Sequence, residues 1–600
     1  MKRIFWICSI FLLSSCGGKD DPSPAPKPEK GVVLHTVMEM NRSEVVPGSH
    51  IGCELQSVLQ PMPNFSHTIG PEKLTVGSDL PDNQKHPSYP RIKRLQNGLF
   101  MMVYHGGLES GQWSRIWYVM GEDYEHWTTP RVLFEPYYAT VAGERPAVRF
   151  ANPEILQLAN GDILAVCAQR CVGFRDVEGL NGVVMRRSSD GGKTWSEPKM
   201  IWNQQNWEPY LLELPDGRIQ CFFTDSDHNT QNSGTAMVES FDGGKTWSGR
   251  KRVSRQYKYD YRTTDPDHVK YNGTRIYTDQ MPVFKLLPDG KTLCGWLECR
   301  LEDPVPADCN DSESYKSYVD MSLVFNDGFD WTALEGDAVG PERRKTNLFH
   351  NAGGGYVAVF PSGEVVLSCT SGKYQHLRMA DATAQSYFGA KGWTKADAKS
   401  FTFPFPKTVK CRWPMAETAG SNLLMAACCS DAEGVHLAML YLNQRQKAAR
   451  IDVKEDGNPA EWTTDKGWFL GSESGVELFV RCALSGSRLC FALDCLDENL
   501  SAGATIILCK EDGSSPVNIK IGPEGLISSS ASGASASASE AESASGAKGW
   551  VAEAGIPLSS LGVSEGATLR CYIMIEEGST RTPFAFADGS SPSTWQTLVL

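Results

Sequence analysis

Two copies of the string Ser-x-Asp-x-Gly-x-Thr-Trp, Ser188 to Trp195 and Ser240 to Trp247, constrain the fold of this chain more than any other feature. In each, alternating apolar residues run into an Asp-Gly-Gly turn and a second short strand leaves it, the pattern of a β-hairpin. The Asp carboxylate is placed to accept hydrogen bonds from turn amides, and the Trp to pack between neighbouring strands. Asp190 and Asp242 stand 52 residues apart, so the hairpin belongs to an internal repeat.

A second repeat keeps phase with the first. An apolar strand, an Asn-, Asp- or Ser-Gly turn and another apolar strand recur as YPRIKRLQNGLFMMVY, NPEILQLANGDILAVC, EPYLLELPDGRIQCFF, MPVFKLLPDGKTLCGW and GYVAVFPSGEVVLSC, with a weaker sixth, AETAGSNLLMAACC. The turn glycines are Gly98, Gly161, Gly217, Gly290, Gly363 and Gly420, at intervals of 63, 56, 73, 73 and 57 residues, enough for four short strands each. Asp190 and Asp242 follow their turn glycines by 29 and 25 residues, the imperfect boxes at Asp123 and Asp327 by 25 and 37, and Trp393 falls 30 past Gly363. Each unit reads strand, Gly turn, strand, loop, strand, box turn, strand. Six such sheets arranged radially predict an all-β fold, a six-bladed β-propeller over residues 56–445. A β-sandwich is the competing architecture, and it carries no such repeat.

After Arg450 the character changes, and residues 446–600 predict a C-terminal antiparallel β-sandwich of short strands. Its strings Asp-Gly-Asn-Pro-Ala-Glu-Trp, ending at Trp462, and Glu553-Ala-Gly-Ile-Pro557 resemble carbohydrate-binding modules of the family-nine type. The Ser- and Ala-rich stretch 528–549 is expected to be a low-complexity loop, too poor in apolar groups to pack. Trp462, Trp468, Trp550 and Trp595 are either stacking platforms for sugars or, as is commoner, core residues.

The N-terminal MKRIFWICSIFLLSSC combines a basic start, a short apolar run and small residues before a Cys, which predicts a secretory signal over 1–16, too short for a membrane span. Leu13-Ser14-Ser15-Cys16 resembles a bacterial lipoprotein cleavage box, implying lipidation of Cys16, with 17–55 as a Pro-rich tether and extension. Gly17 to Asp21 resembles the acidic export tags of Bacteroidetes surface lipoproteins, which implies a lipid anchor at the cell surface or on the periplasmic side of the outer membrane. A net charge of −13 offers no basic face to nucleic acid and suits an uncharged ligand. Beyond Cys8 and Cys16, the cysteines lie mostly in apolar runs and read as buried strand residues with a few possible disulfides. Cys167 and Cys171 are not at zinc-ribbon spacing, and His105, His228 and His350 share no common spacing, so neither metal nor cofactor is expected.

In a propeller the first strand of each sheet lines the axis, so its start and the end of the second strand both lie opposite the Gly turn. Residues seven to nine positions from each turn glycine should therefore meet in one central pocket: Arg91, Glu154, Glu208 and Tyr356 on the entering strands, His105, Arg170, Asp225 and Glu298 on the leaving ones. Carboxylates converging from several arms are what glycoside cleavage needs, one protonated to assist the leaving oxygen and one ionised to attack or to activate water.

The boxes resemble those that sialidase-superfamily six-bladed propellers carry at the turn between the third and fourth strands. The box itself is a structural turn and also occurs in non-enzymes. Sialidases are expected to show Arg-Ile-Pro, three arginines on the substrate carboxylate, a Tyr-Glu nucleophile pair and an Asp acid/base. Here Arg91 and Ile92 are followed by Lys93, and the strand after ELPDGRI ends in Phe-Phe-Thr-Asp without an arginine. Exo-arabinanases, retaining enzymes that use two glutamates, are similar at NWEPYLLELPDGRIQCFFTDS and QMPVFKLLPDGKTLCGWLECR. That resemblance implies Glu208 as nucleophile and Glu298 as acid/base, with Arg91, His105, Glu154, Arg170, Trp207, Asp225 and Tyr356 as candidate substrate contacts. Glu208 beside Arg170 is expected to be ionised, and Glu298, if less solvated, to keep its proton near neutrality. The implied activity is an exo-acting glycosidase on a glycan, with an α-L-arabinose-type sugar preferred. An exo-sialidase with Tyr356 as nucleophile and a cradle rebuilt from Arg170, Arg300 or Arg343 is the alternative, and a non-catalytic glycan-binding lipoprotein is another.

Overall fold

The computed structural model describes residues 33–34 and 54–600 apart from 76–85, 107–113, 172, 175–176, 227–232, 255–278, 288–289, 301–318, 332–342, 350–351, 362–363, 372, 380–400, 407, 421, 431–432, 463–466, 472–474, 544–545, 584–591 and 593–594. Cys16 with its signal segment, His228, His350, Gly363 and Trp393 therefore lie outside the described residues. Nearly all the regular structure among the described residues is strand. Six successive sheets begin with the strands Pro87–Arg94, Ala147–Gln157, Asn206–Glu213, Asp279–Leu286, Ala352–Val359 and Arg412–Ala419. Each first strand lies against the first strand of the next sheet, and the sixth lies against the first. The sheets are thus the blades of a closed six-bladed propeller.

The local chemistry matches the repeats. Gly98, Gly161, Gly217, Gly290 and Gly420 all sit at positive φ in the turn that follows their first strand, where a side chain would strain the hairpin. Asp190, between the third and fourth strands of blade 2, accepts the amides of Lys193 at 3.0 Å and Thr194 at 2.9 Å and the Thr194 hydroxyl at 2.5 Å. Asp242 repeats this in blade 3 with the Thr246 amide at 2.8 Å and hydroxyl at 2.6 Å. These donors hold both carboxyls below the usual carboxylate range. Alternate residues of each strand face one neighbouring blade or the other. Between blades 3 and 4, Phe222 stacks on Phe284 with centroids 4.0 Å apart and Trp331 edge-on to both.

The ring is closed by the N-terminal segment. Glu54–Ile69 forms the outermost strand of blade 6, antiparallel to Gly434–Lys447, so both ends of the propeller sequence share one sheet. Gly434–Lys447 runs past the blade edge and pairs in parallel with Gln596–Val599, which joins blade 6 to the C-terminal sandwich. The Trp468 indole donates to the Gln444 carbonyl at 2.8 Å, and the Gln444 side chain reaches Glu364 of blade 5 at 2.6 Å.

In the sandwich two expectations meet a definite outcome. Trp462, Trp468, Trp550 and Trp595 are all buried, so they are core and not sugar platforms. The stretch 528–549 is not a loop: Ser535–Ser543 forms a strand antiparallel to Lys548–Pro557. Its Ser-Ala alternation has the period of a strand, and Ala536 and Ala538 lie against the apolar core while serines take the other face. The cysteines whose side chains are described are buried thiols, with the Cys411 and Cys428 sulfurs 2.8 Å apart.

Candidate active site

Every first strand carries the same irregularity. Its ladder to the second strand slips by one residue, between Ser88 and Arg91, Ala151 and Glu154, Trp207 and Tyr210, Gln280 and Val283, Gly353 and Tyr356, and Arg412 and Met415. Inside each slip one residue stands at positive φ: Tyr89, Asn152, Glu208, Met281, Gly354 and Trp413. Proline follows in five of the six, and it suits a bulge because it has no N–H to leave unpaired in the broken ladder. A left-handed conformation costs a non-glycine residue about 1–2 kcal/mol, so five such residues on one ring mark a place where the surroundings hold the backbone against strain.

The ring is stitched at each blade interface. The His105 Nδ1 accepts the Asn152 amide at 3.3 Å, Arg170 donates to the Asn206 carbonyl at 3.0 Å, and the Thr224 hydroxyl accepts the Met281 amide at 2.9 Å. Glu298 Oε1 accepts the Gly354 amide, Gly354 lies against Trp413 and Pro414, and the Trp413 ring sits 6.5 Å from that of Tyr89. His105, Thr224 and Glu298 occupy the same register position on their second strands, opposite Ser88, Trp207 and Gln280.

Two residues further along each strand lies a second layer. Arg91 is 3.6 Å from Glu154 and 3.7 Å over the Tyr89 ring, Tyr356 donates to Glu154 at 3.1 Å, and Tyr210 meets Tyr356 edge-on. Beneath it, Glu417 accepts from Lys285 at 2.7 Å and from Lys93. Burial alone would raise the Glu417 carboxyl, but the two ammonium groups bring it below its ordinary value.

Two carboxyls stand at the ring itself. Glu208 is half-buried and its Oε2 accepts the Thr224 hydroxyl at 2.7 Å. Glu298, 8 % exposed, takes Gln280 at 2.7 Å on one oxygen and the Gly354 amide on the other. Burial pushes its carboxyl above the usual range despite both donors. The run Gly353-Gly354-Gly355 serves this packing: a Cβ at Gly353 would stand 2.7 Å from Glu298 Oε1, and one at Gly355 2.6 Å from the Trp296 indole. These glycines make room for neighbouring side chains.

The remaining expected residues divide. Arg91, His105, Glu154, Arg170, Trp207 and Tyr356 join the ring or the layer below it, with the Arg170 guanidinium stacked on the Trp207 ring. Asp225 is turned away, its carboxylate taken by Arg250 at 2.6 Å in a pairing that also lies near Trp202 of blade 2. It neighbours Thr224 on the strand, and the period of two sends it to the opposite face. Arg91, Arg149 and Arg170 surround His105, and burial together with Arg170, Arg149 and Arg91 drives its pKa down to about 3. The side chains of Arg300 and Arg343 lie outside what is described. Sequence reasoning passed over Tyr89, Arg149, Asn152, Thr224, Gln280, Met281 and Trp413. A signal for four of them is present in the residue-Pro pairs Tyr89-Pro90, Asn152-Pro153, Glu208-Pro209, Met281-Pro282 and Trp413-Pro414, which keep the period of the blades.

Residues 87–258 match a BNR repeat-like domain. That span covers blades 1 to 3 and both complete boxes. A sialidase of Micromonospora viridifaciens is 30% identical over 143 residues, 19% of this chain, and the chain spans only 22% of that relative's length. Among solved structures, the GH93 α-L-arabinofuranosidase of Fusarium graminearum with arabinobiose is 14% identical over 63% of this chain and 97% of its own, with a TM-score of 0.41. The α-L-arabinanase of Penicillium chrysogenum with arabinobiose is 16% identical over 64% and 99%, with a TM-score of 0.40. The closed ring of six blades and the two sequence matches together support a sialidase-like propeller.

Proposed function

We propose that the chain is an exo-acting glycoside hydrolase that removes terminal sugars from a glycan with retention, Glu208 serving as nucleophile and Glu298 as acid/base. The observation that carries this reading is the link between the two carboxyls. Glu208 takes the Thr224 hydroxyl, Thr224 takes the Met281 amide, and Gln280, the residue before Met281, donates to Glu298. One carboxyl is half open at the ring and the other is buried with its pKa raised by that burial, the direction in which the acid of a retaining pair is shifted. Glu208 would attack the anomeric carbon as Glu298 passes its proton to the departing oxygen. Water would then add to the glycosyl-enzyme ester, with Glu298 taking the proton back and Glu208 leaving as carboxylate.

A neutral sugar of the arabinose type is preferred, because Arg91 already faces Glu154 and Arg170 is engaged with Asn206 and Trp207. A second reading draws on the three guanidiniums around His105 and on the Tyr356–Glu154 pair: an acidic terminal sugar with Tyr356 as nucleophile. Burial raises the Tyr356 hydroxyl far above its ordinary value, which suits a structural donor better than an attacking phenolate. The sandwich, with its tryptophans buried, is read as a brace for blade 6. Anchoring to the outer membrane through lipid on Cys16 goes with this proposal, and Cys16→Ala is expected to shift the protein from the membrane to the soluble fraction.

The test is turnover of arabinan, aryl arabinosides and sialosides by wild type, Glu208→Gln, Glu298→Gln and Tyr356→Phe. Arabinoside turnover should vanish in Glu208→Gln and fall by about 10²–10⁴ in Glu298→Gln. Its rate should decline as pH rises through the elevated Glu298 value, since only the protonated acid assists departure. Sialoside turnover abolished by Tyr356→Phe would move the nucleophile to the tyrosine, and glycan binding without turnover of any substrate would sink the enzyme reading.

A further inference from the structure

Blade 2 differs from its neighbours by a fifth strand. Tyr137–Tyr138 pairs antiparallel with the start of Ala147–Gln157, on the edge opposite to Ile163–Cys171. Because Ala147–Gln157 is the axial strand of its blade, the added strand lies on the axial side of the sheet. The paired residues Ala147 and Val148 precede the bulge at Asn152 and lie at the end of the strand remote from Gly161, so the added strand stands over the ring of bulges. Among the described residues no other blade has a strand in this place.

The register decides which tyrosine looks where. Tyr137 is opposite Val148 and shares its face with Phe150, whose ring is 6.5 Å away, so it is half-packed between blades 1 and 2. Tyr138 is opposite Ala147 and shares its face with Arg149 and with Arg170, which is opposite Arg149 in the next strand. That is the face from which the Arg170 guanidinium reaches Trp207 at the ring. Tyr138 is 50 % exposed, and its ring lies 5.2 Å from the Arg145 guanidinium. An exposed ring placed over the ring of bulges, with an apolar face and a polar rim, fits the face of a sugar.

We propose that Tyr138 forms a second sugar position, outside the catalytic ring, which stacks on the penultimate sugar of an oligosaccharide whose terminal residue occupies the pocket at Glu208. This rests on the glycosidase reading for the role of the pocket. It adds that the natural ligand is a chain of at least two sugars and that blade 2 sets the preference for it.

Tyr138→Ala and Tyr138→Phe, made in the full chain, test this against a methyl monoglycoside, whose small aglycone cannot stack, and against arabino- and sialyl-oligosaccharides. Loss of the ring should lower kcat/KM on the oligosaccharide that is turned over by roughly five- to tenfold, with the methyl monoglycoside little changed and the unfolding midpoint constant. Tyr138→Phe should keep the oligosaccharide rate. Equal losses on both substrates, or none on either, overturn the proposal. Titration calorimetry of the same oligosaccharides separates it from the catalytic reading. Binding that weakens in Tyr138→Ala without turnover in wild type would retain the sugar position and discard the hydrolase, and binding indifferent to Tyr138 would discard the position.

Discussion

Acid should loosen this propeller through His105, and the size of the effect can be worked out. The imidazole is buried, its Nδ1 accepts the Asn152 amide, and Arg170, Arg149 and Arg91 are close enough to oppose a further positive charge. Protonation would place a proton on Nδ1 where the amide hydrogen already sits, so it breaks the contact between blades 1 and 2. The folded pKa is about 3 against about 6.5 when unfolded. A depressed folded value means that stability is complete above the unfolded pKa and drains away as pH falls toward the folded one. Each unit of pH in that window removes about 1.4 kcal/mol, so a drop from about pH 6.5 to about pH 4.5 removes about 3 kcal/mol. Glu298 works in the opposite sense, because its raised folded pKa adds stability as pH falls. Subtracting the profile of His105→Gln cancels that term, since glutamine does not titrate and its carbonyl oxygen can still take the Asn152 amide. Urea unfolding followed by tryptophan fluorescence should show wild type losing about 3 kcal/mol more than His105→Gln across this range. Parallel profiles would refute the argument and mean that the imidazole reaches water.

Thr224→Val should cost about 2–4 kcal/mol in the same denaturation experiment, because it removes a hydrogen bond to a carboxylate and orphans the buried Met281 amide. It should also reduce turnover by loosening Glu208, and wild-type values for both would show that the hydroxyl bridges nothing of consequence. Deleting residues 54–69 strips the outer strand from blade 6 and bares the edge of Gly434–Lys447. Aggregation or rapid proteolysis is the expected outcome; a monomeric, protease-resistant product of normal thermal stability would contradict the clasp.

The repeats determined most of the fold before any contact was known. A hairpin of Asn-Gly or Asp-Gly, and a box whose carboxylate caps its own turn, are local structures, so Gly98 or Asp190 can be read from a few neighbouring residues. Their common period then fixed six blades and, by counting, the ends of the strands that line the axis. Glu208, Glu154, Arg91, Arg170 and Tyr356 were reached in this way. What counting could not supply was the face on which a residue lies. Asp225 and Thr224 are neighbours on an unbroken second strand, so the period of two puts them on opposite faces, and only the pairing of the closed ring shows that Thr224 comes to the ring while Asp225 goes to Arg250. Long-range partners were equally out of reach. Glu54–Ile69 and Gly434–Lys447 are far apart in the chain, and nothing in either announces the other. Ser535–Ser543 is a strand because Lys548–Pro557 offers it an edge, although its composition reads as loop. The upward shift of the Glu298 carboxyl depends on burial, and the downward shift of His105 on burial and on arginines, two of them from the neighbouring blade. Turns and periods are written in short stretches of sequence, whereas burial, register and the company a charge keeps exist only when the ring has closed.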